Sequence, residues 1–186
     1  MKNIFPNESI IPSVRDLKHL QVALRCKTQF VLLSETHIGN LQTLAKRCHE
    51  VNKKVIVHLD LIGGLNNDRV GLKMLRDLYK VDGVISPNVK SINRAKQLGL
   101  ISIQRLFLLD SRSLESGLKS IQESSLDAIE VLPGPFAVNF IHTIKEITDA
   151  PILAGGFIST SEMIENLFHS GIQGITTSNL NLWKTK

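Results

Sequence analysis

Eight short apolar runs recur along the chain, separated by segments with helical spacing of apolar residues, and this alternation restricts the fold more than any other feature. The runs are Ser9–Ile11, Phe30–Ser34, Val55–Asp60, Gly83–Ser86, Ile101–Leu106, Ala128–Leu132, Ile152–Ala154 and Gly174–Ser178. A strand followed by a crossover helix returns parallel to its predecessor, and eight such units close a ring. The expected fold is α/β, a compact (β/α)8 barrel of TIM type. With 186 residues, each unit must be smaller than in a barrel of about 250 residues, so short helices and a lightly decorated rim are expected. The competing architecture is an open doubly wound sheet, which normally has fewer strands and binds ligands at a switch point.

Helix starts are expected at Ser13 ahead of Val14–Arg25, at Ser111 ahead of Arg112–Glu123 and at Ser161 ahead of Glu162–Ser170. Gly99 and Gly171 supply two stops. No Pro/Ser-rich or charged tract divides the sequence, so residues 1–186 are expected to form one domain. Hydrophobic residues at 42% and charged residues at 21% place it among globular chains. No apolar run reaches the ~18–20 residues of a membrane span, and no signal segment opens the chain. A cytoplasmic protein without a membrane partner is expected, in which Cys26 and Cys48 need no bridge. A formal net charge of +5 makes an anionic partner worth seeking.

Both faces of a parallel barrel strand are buried, so charged residues inside the runs need a reason. In the third run Val55, Val57 and Leu59 should face the helices, which turns His58 and Asp60 inward. In the sixth, Ile129 and Val131 do the same and turn Glu130 inward. The fifth adds Ser102 and Gln104, with Arg105 near its end; the second closes on Ser34, Glu35, Thr36 and His37, and the fourth on Ser86. All stand towards strand C-termini, where such barrels place their sites. Either a polar pocket or an ion-pair network joining Arg105 to Asp60 or Glu130 accounts for them. His37 and His58 lack the close spacing of metal ligands, and no metal is expected.

Gly155 and Gly156 follow the seventh run at once, and glycine lets backbone N–H groups approach an anion. Thr176, Thr177, Ser178 and Asn179 end the eighth with further donors. This is where many barrels bind phosphate.

Taken in order, several strings resemble the glycerol-3-phosphate-responsive antiterminators, regulators of bacterial glycerol uptake. They are His37-Ile38-Gly39-Asn40-Leu41, Val57-His58-Leu59-Asp60-Leu61-Ile62 with Gly64-Leu65, and Ile103-Gln104-Arg105 with Phe107-Leu108-Leu109-Asp110-Ser111. Ile129-Glu130-Val131-Leu132-Pro133-Gly134, Ala154-Gly155-Gly156 and Thr177-Ser178-Asn179 continue the pattern towards Trp183. The chain departs from it at Pro87-Asn88 after Ser86 and at Ile10-Ile11-Pro12.

The resemblance implies a regulator that binds glycerol 3-phosphate and acts on the leader messenger RNA of glycerol-catabolic genes, preventing premature termination. It implies no catalytic residue and no cofactor. Gly155, Gly156, Ser178 and Asn179 would hold the effector's phosphate, and His58, Asp60, Gln104, Arg105 and Glu130 its glycerol part. An RNA surface is not written in the sequence, which lacks an RNP-like aromatic strand and a Gly-x-x-Gly clamp. Basic residues cluster at Lys46 and Arg47, at Lys53 and Lys54, at Lys73, Arg76 and Lys80, at Lys90, Arg94 and Lys96, and at Lys184 and Lys186. Lys46, Arg47, Lys90 and Arg94 are the RNA-contact candidates. A homo-oligomer stays open. The rival reading is an acid–base isomerase or lyase acting on a small phosphorylated substrate through His58, Asp60 and Glu130; no strand-end lysine offers Schiff-base chemistry.

Overall fold

The computed structural model describes residues 4–183 and contains eight parallel strands closed in chain order. They are β1 (Ser9–Val14), β2 (Phe30–Leu33), β3 (Lys54–His58), β4 (Gly83–Ser86), β5 (Ile101–Phe107), β6 (Ala128–Leu132), β7 (Ile152–Gly155) and β8 (Gly174–Thr177). β8 pairs back onto β1, with Ile11 opposite Thr176, so the sheet has no edge. Around it lie α1 (Leu20–Leu24), α2 (Leu41–His49), α3 (Arg69–Asp77), α4 (Val89–Gln97), α5 (Ser111–Gln122), α6 (Ala137–Lys145) and α7 (Ser161–His169). This is the expected TIM-type barrel with short helices. β8 is followed by one 3-10 turn, Leu180–Leu182, and the Trp183 indole donates to Thr177 O at 2.8 Å. No helix among the described residues is long and apolar enough to cross a membrane.

Helix starts differ from expectation in three places. Ser13 is a strand residue opposite Leu32, and its hydroxyl bonds Ser34; the chain enters α1 through a 3-10 turn capped by Asp16. Ser111 and Ser161 are first helical residues, because the side chains of Asp110 and Thr160 already reach the free N–H groups of Ser113 and Met163. Gly99 and Gly171 end α4 and α7 with φ of 79° and 94°, as the stop signals predict.

Two apolar layers result. Val55, Val57, Ile129 and Val131 face the helices and pack with Leu44, Leu72, Ile92 and Ile144. Inside the barrel Ile11, Phe30, Leu32, Ile56, Ile85, Ile103, Ala128 and Leu153 form a second cluster, closed below by Phe5, whose ring lies 4.7 Å from that of Phe30. This inner plug is the floor of the site.

Candidate functional site

Side chains alternate along a strand, so the residue two positions beyond each plug residue also points inward. Ile11, Leu32, Ile56, Ile103 and Ala128 are thus followed by Ser13, Ser34, His58, Arg105 and Glu130, and the polar layer sits directly on the apolar floor. With Thr176 from β8 these residues line a cavity of about 570 Å³ at the strand C-termini. Arg15, Glu35, Gly156, Phe157, Ser178 and Asn179 complete its wall.

One hydrogen-bonded network spans the floor. Arg105 Nε and Nη2 donate to Glu130 Oε2 at 2.8 and 2.6 Å, and Thr176 Oγ1 donates to Glu130 Oε1 at 2.6 Å. Register sets this up: Arg105 and Glu130 are direct neighbours on β5 and β6. The Glu130 side chain is 1% exposed and that of Arg105 12%, so the pair is desolvated but multiply bonded. Arg105 Nη2 also lies 2.6 Å from His58 Nε2. Guanidinium can only donate, so His58 accepts at Nε2 and carries its proton on Nδ1. Burial, with the charge of Arg105 adding to it, pushes the His58 pKa down to about 4. His58 Nδ1 is buried with no partner among the described residues. Arg105 Nη1 likewise donates to none of them, which leaves one guanidinium edge free beside the cavity.

Above the floor, the loops after β7 and β8 meet. Asn179 joins them through Nδ2, which donates to Ser159 O at 3.3 Å, while its Oδ1 caps the 3-10 turn at Asn181. Gly156 (φ 73°) and Phe157 (φ 57°) turn the first loop through the left-handed region. The N–H groups of Gly156, Phe157 and Ser178 bond no acceptor among the described residues. Successive free N–H groups on such a turn form a nest suited to an anionic oxygen.

A family profile described as glycerol-3-phosphate responsive antiterminator matches residues 10–183. The chain belongs to this family. A crystal structure of the glycerol uptake operon antiterminator regulatory protein from Listeria monocytogenes superposes with a TM-score of 0.92 at 36% identity, covering 98% of each chain. A glycerol uptake operon antiterminator-related protein from Thermotoga maritima superposes at 0.85 with 27% identity, covering 97% of this chain and 99% of that one. An uncharacterized Escherichia coli protein, YgcP, is 29% identical over 174 residues, covering 94% of this chain and 91% of its own length.

For an antiterminator-family barrel, the mouth collects His58, Arg105, Glu130, Gly156, Ser178 and Asn179 from the sequence-derived set. Five others stand elsewhere. Asp60 is exposed, because β3 ends at His58 and the chain enters a 3-10 turn in which Asp60 accepts from Asn67 Nδ2 at 2.9 Å. Gln104 faces the helix layer, where it donates to Pro87 O and accepts from Ser124 Oγ. Ser102, on the same face of β5, bonds Asp127. Gly155 backs the cavity without lining it: a Cβ there would overlap Thr176 Oγ1 and sit 3.1 Å from Glu130 Oε1. Its glycine makes room for the floor network. Ser86 continues the outward face of Val84 and accepts from Asn88 N. Lys46, Arg47, Lys90 and Arg94 lie on outer helices, and Lys184 and Lys186 fall outside the described residues. Arg15 and Phe157 were missed. Arg15 was absorbed into an expected helix, and no residue type announces a left-handed Phe.

Proposed function

We propose that this antiterminator-family barrel binds glycerol 3-phosphate in its mouth and, in response, acts on leader messenger RNA to prevent premature termination. The observation that carries the effector site is the facing of two unlike donor sets across one cavity. The free N–H groups at Gly156, Phe157 and Ser178 suit a phosphate, and the Arg105 edge, held in place by Glu130, suits hydroxyls together with Ser13 and Ser34. Glycerol 3-phosphate carries both kinds of group. The family's description and that of the Listeria relative support the regulatory reading. On this reading the protein works in the cytoplasm and needs no cofactor.

The arrangement of His58 and Glu130 supports the regulator over the acid–base enzyme. His58 is held neutral by burial and by Arg105, and both Glu130 oxygens are engaged. Efficient proton transfer needs a group within reach of substrate and titrating near the working pH. Calorimetric titration with glycerol 3-phosphate, glycerol and inorganic phosphate tests the effector site. Glycerol 3-phosphate should bind more tightly than either fragment; equal affinity for phosphate alone would remove the glycerol half of the reading. Solvent isotope exchange into glycerol 3-phosphate or dihydroxyacetone phosphate should be absent, and turnover would restore the enzyme.

A further inference from the structure

The net charge of the chain is divided between two sides of the barrel. Residues 37–100 hold eleven Lys and Arg against five Asp and Glu, whereas residues 101–183 hold four against nine. Because the strands close in chain order, the first stretch forms the wall of α2, α3 and α4, and the second forms the wall of α5, α6 and α7, which continues around the barrel from α4. The α2–α4 side of the barrel is basic and the α5–α7 side is acidic.

Part of the basic wall works against the stability of its own helices. Arg69 and Lys73 stand one turn apart on α3, and Lys90 and Arg94 one turn apart on α4. Like charges at this spacing repel. Arg69 is the first residue of α3 and Lys90 the second of α4, where the helix dipole disfavours cations, and the one acid at these two starts is the N-cap Asp68 of α3. All four side chains are exposed and form no ion pair among the described residues. The two helices are tied side by side, since Arg76 Nη1 at the end of α3 donates to Leu98 O beyond α4. Lys46 and Lys80 extend the wall around a cleft of about 700 Å³ between α2 and α3, with Gln42, His49 and the acid Glu50 on its sides. Tyr79, the aromatic residue there, is buried.

We infer that the α2–α4 wall is the RNA-binding face, and that it reads the phosphate backbone, with no aromatic platform for base stacking. This rests on the antiterminator reading. Helices of a barrel start at its mouth, so Arg69 and Lys90 mark the rim end of the wall. Glu35 and Leu61 line the cavity and open the loops that lead into α2 and α3. RNA on this wall therefore lies beside the effector site without entering it.

The test compares two charge-reversed proteins in binding a fluorescein-labelled 5′ leader RNA of the glycerol uptake operon across a salt series. Lys73→Glu with Arg94→Glu alters the basic wall; Arg112→Glu with Lys119→Glu alters α5, the first helix of the acidic side. The first pair should weaken binding at least ~10-fold and flatten the log–log salt slope by about 1.4, about 0.7 for each single-strand phosphate that is no longer neutralised. The second should leave both unchanged. Glycerol 3-phosphate titration of each variant reports folding, and Lys73→Gln with Arg94→Gln removes the same two cations without reversing their charge. If the wall variants bind leader RNA as the parent does, the surface assignment is overturned while the regulator stands. If the parent binds no leader RNA at any effector level, the regulatory reading falls with it. If wall reversal changes only sedimentation, the two faces pair copies of the chain with each other and the inference is wrong.

Discussion

Glu130 holds Arg105 through one carboxylate oxygen and Thr176 through the other, so a single buried acid fixes groups from β5 and β8 across the barrel mouth. Replacing Glu130 by Gln removes the charge that balances a 12%-exposed guanidinium. Breaking a buried pair from one side costs about 3–5 kcal/mol. Glu130→Gln should therefore lower unfolding free energy by about 3 kcal/mol in urea, and weaken glycerol 3-phosphate binding by about 1–3 kcal/mol. Unchanged stability would mean that Arg105 has another anchor.

The two adjacent glycines should fail differently. Gly155→Ala forces a methyl into Thr176 and Glu130, and overpacking of this kind costs about 1–3 kcal/mol. Gly156→Asp brings its Cβ into ordinary contact with Leu132, 3.5 Å from Cδ2, at a left-handed φ that Asp adopts more readily than most residues, but sets a carboxylate beside the free N–H groups. Its fold should survive, with effector affinity down at least ~10-fold, or about 1.4 kcal/mol. Thermal unfolding and calorimetry separate the two effects, and an undiminished affinity in Gly156→Asp would move the phosphate elsewhere.

Asp60→Asn serves as the contrast. The Asp60 side chain is exposed and bonds only its neighbour Asn67 among the described residues, so calorimetry should find the effector affinity of this variant unaltered. A loss comparable to that of Glu130→Gln would show that the turn after β3 folds over the bound ligand.

His58 gives the stability a pH dependence of definite sign. Its pKa falls from 6.5 in the unfolded chain to about 4 in the barrel, so between these values the unfolded state binds the extra proton. The contribution is complete above pH 6.5, shrinks as pH falls towards about 4 and is lost below, amounting to about 3 kcal/mol at the 1.36 kcal/mol per pKa unit of linkage. Urea unfolding from pH 7.5 to pH 4.5 should show this loss in the parent and a smaller one in His58→Gln. Parallel curves would mean that His58 is protonated in the folded state.

How much of this was legible in the sequence follows from what alternation encodes. The eight strands and the inward turn of His58 and Glu130 could be found because aliphatic residues mark one face of β3 and β6. On β5 both faces are partly aliphatic, with Ile103 inside and Leu106 outside, so polarity alone misassigned Gln104. Its amide is satisfied by Pro87 and Ser124 from other segments, a partnership that no local pattern records. Asp60 was lost because a strand end depends on where its neighbours stop: β3 pairs β4 only to His58. The role of Gly155 was likewise hidden, since the side chains it makes room for stand on β6 and β8.

The central claim, that effector in the mouth governs RNA on another surface, is tested most directly by titrating labelled leader RNA into the protein with and without saturating glycerol 3-phosphate. Linkage requires each ligand to change the other's affinity by the same factor, typically about 5–150-fold. The expected result is RNA binding tightened by the effector within that range, an equal gain in effector affinity when RNA is saturating, and no gain in Gly156→Asp. Leader RNA bound equally tightly at all effector concentrations, and no better than unrelated RNA, would contradict the account.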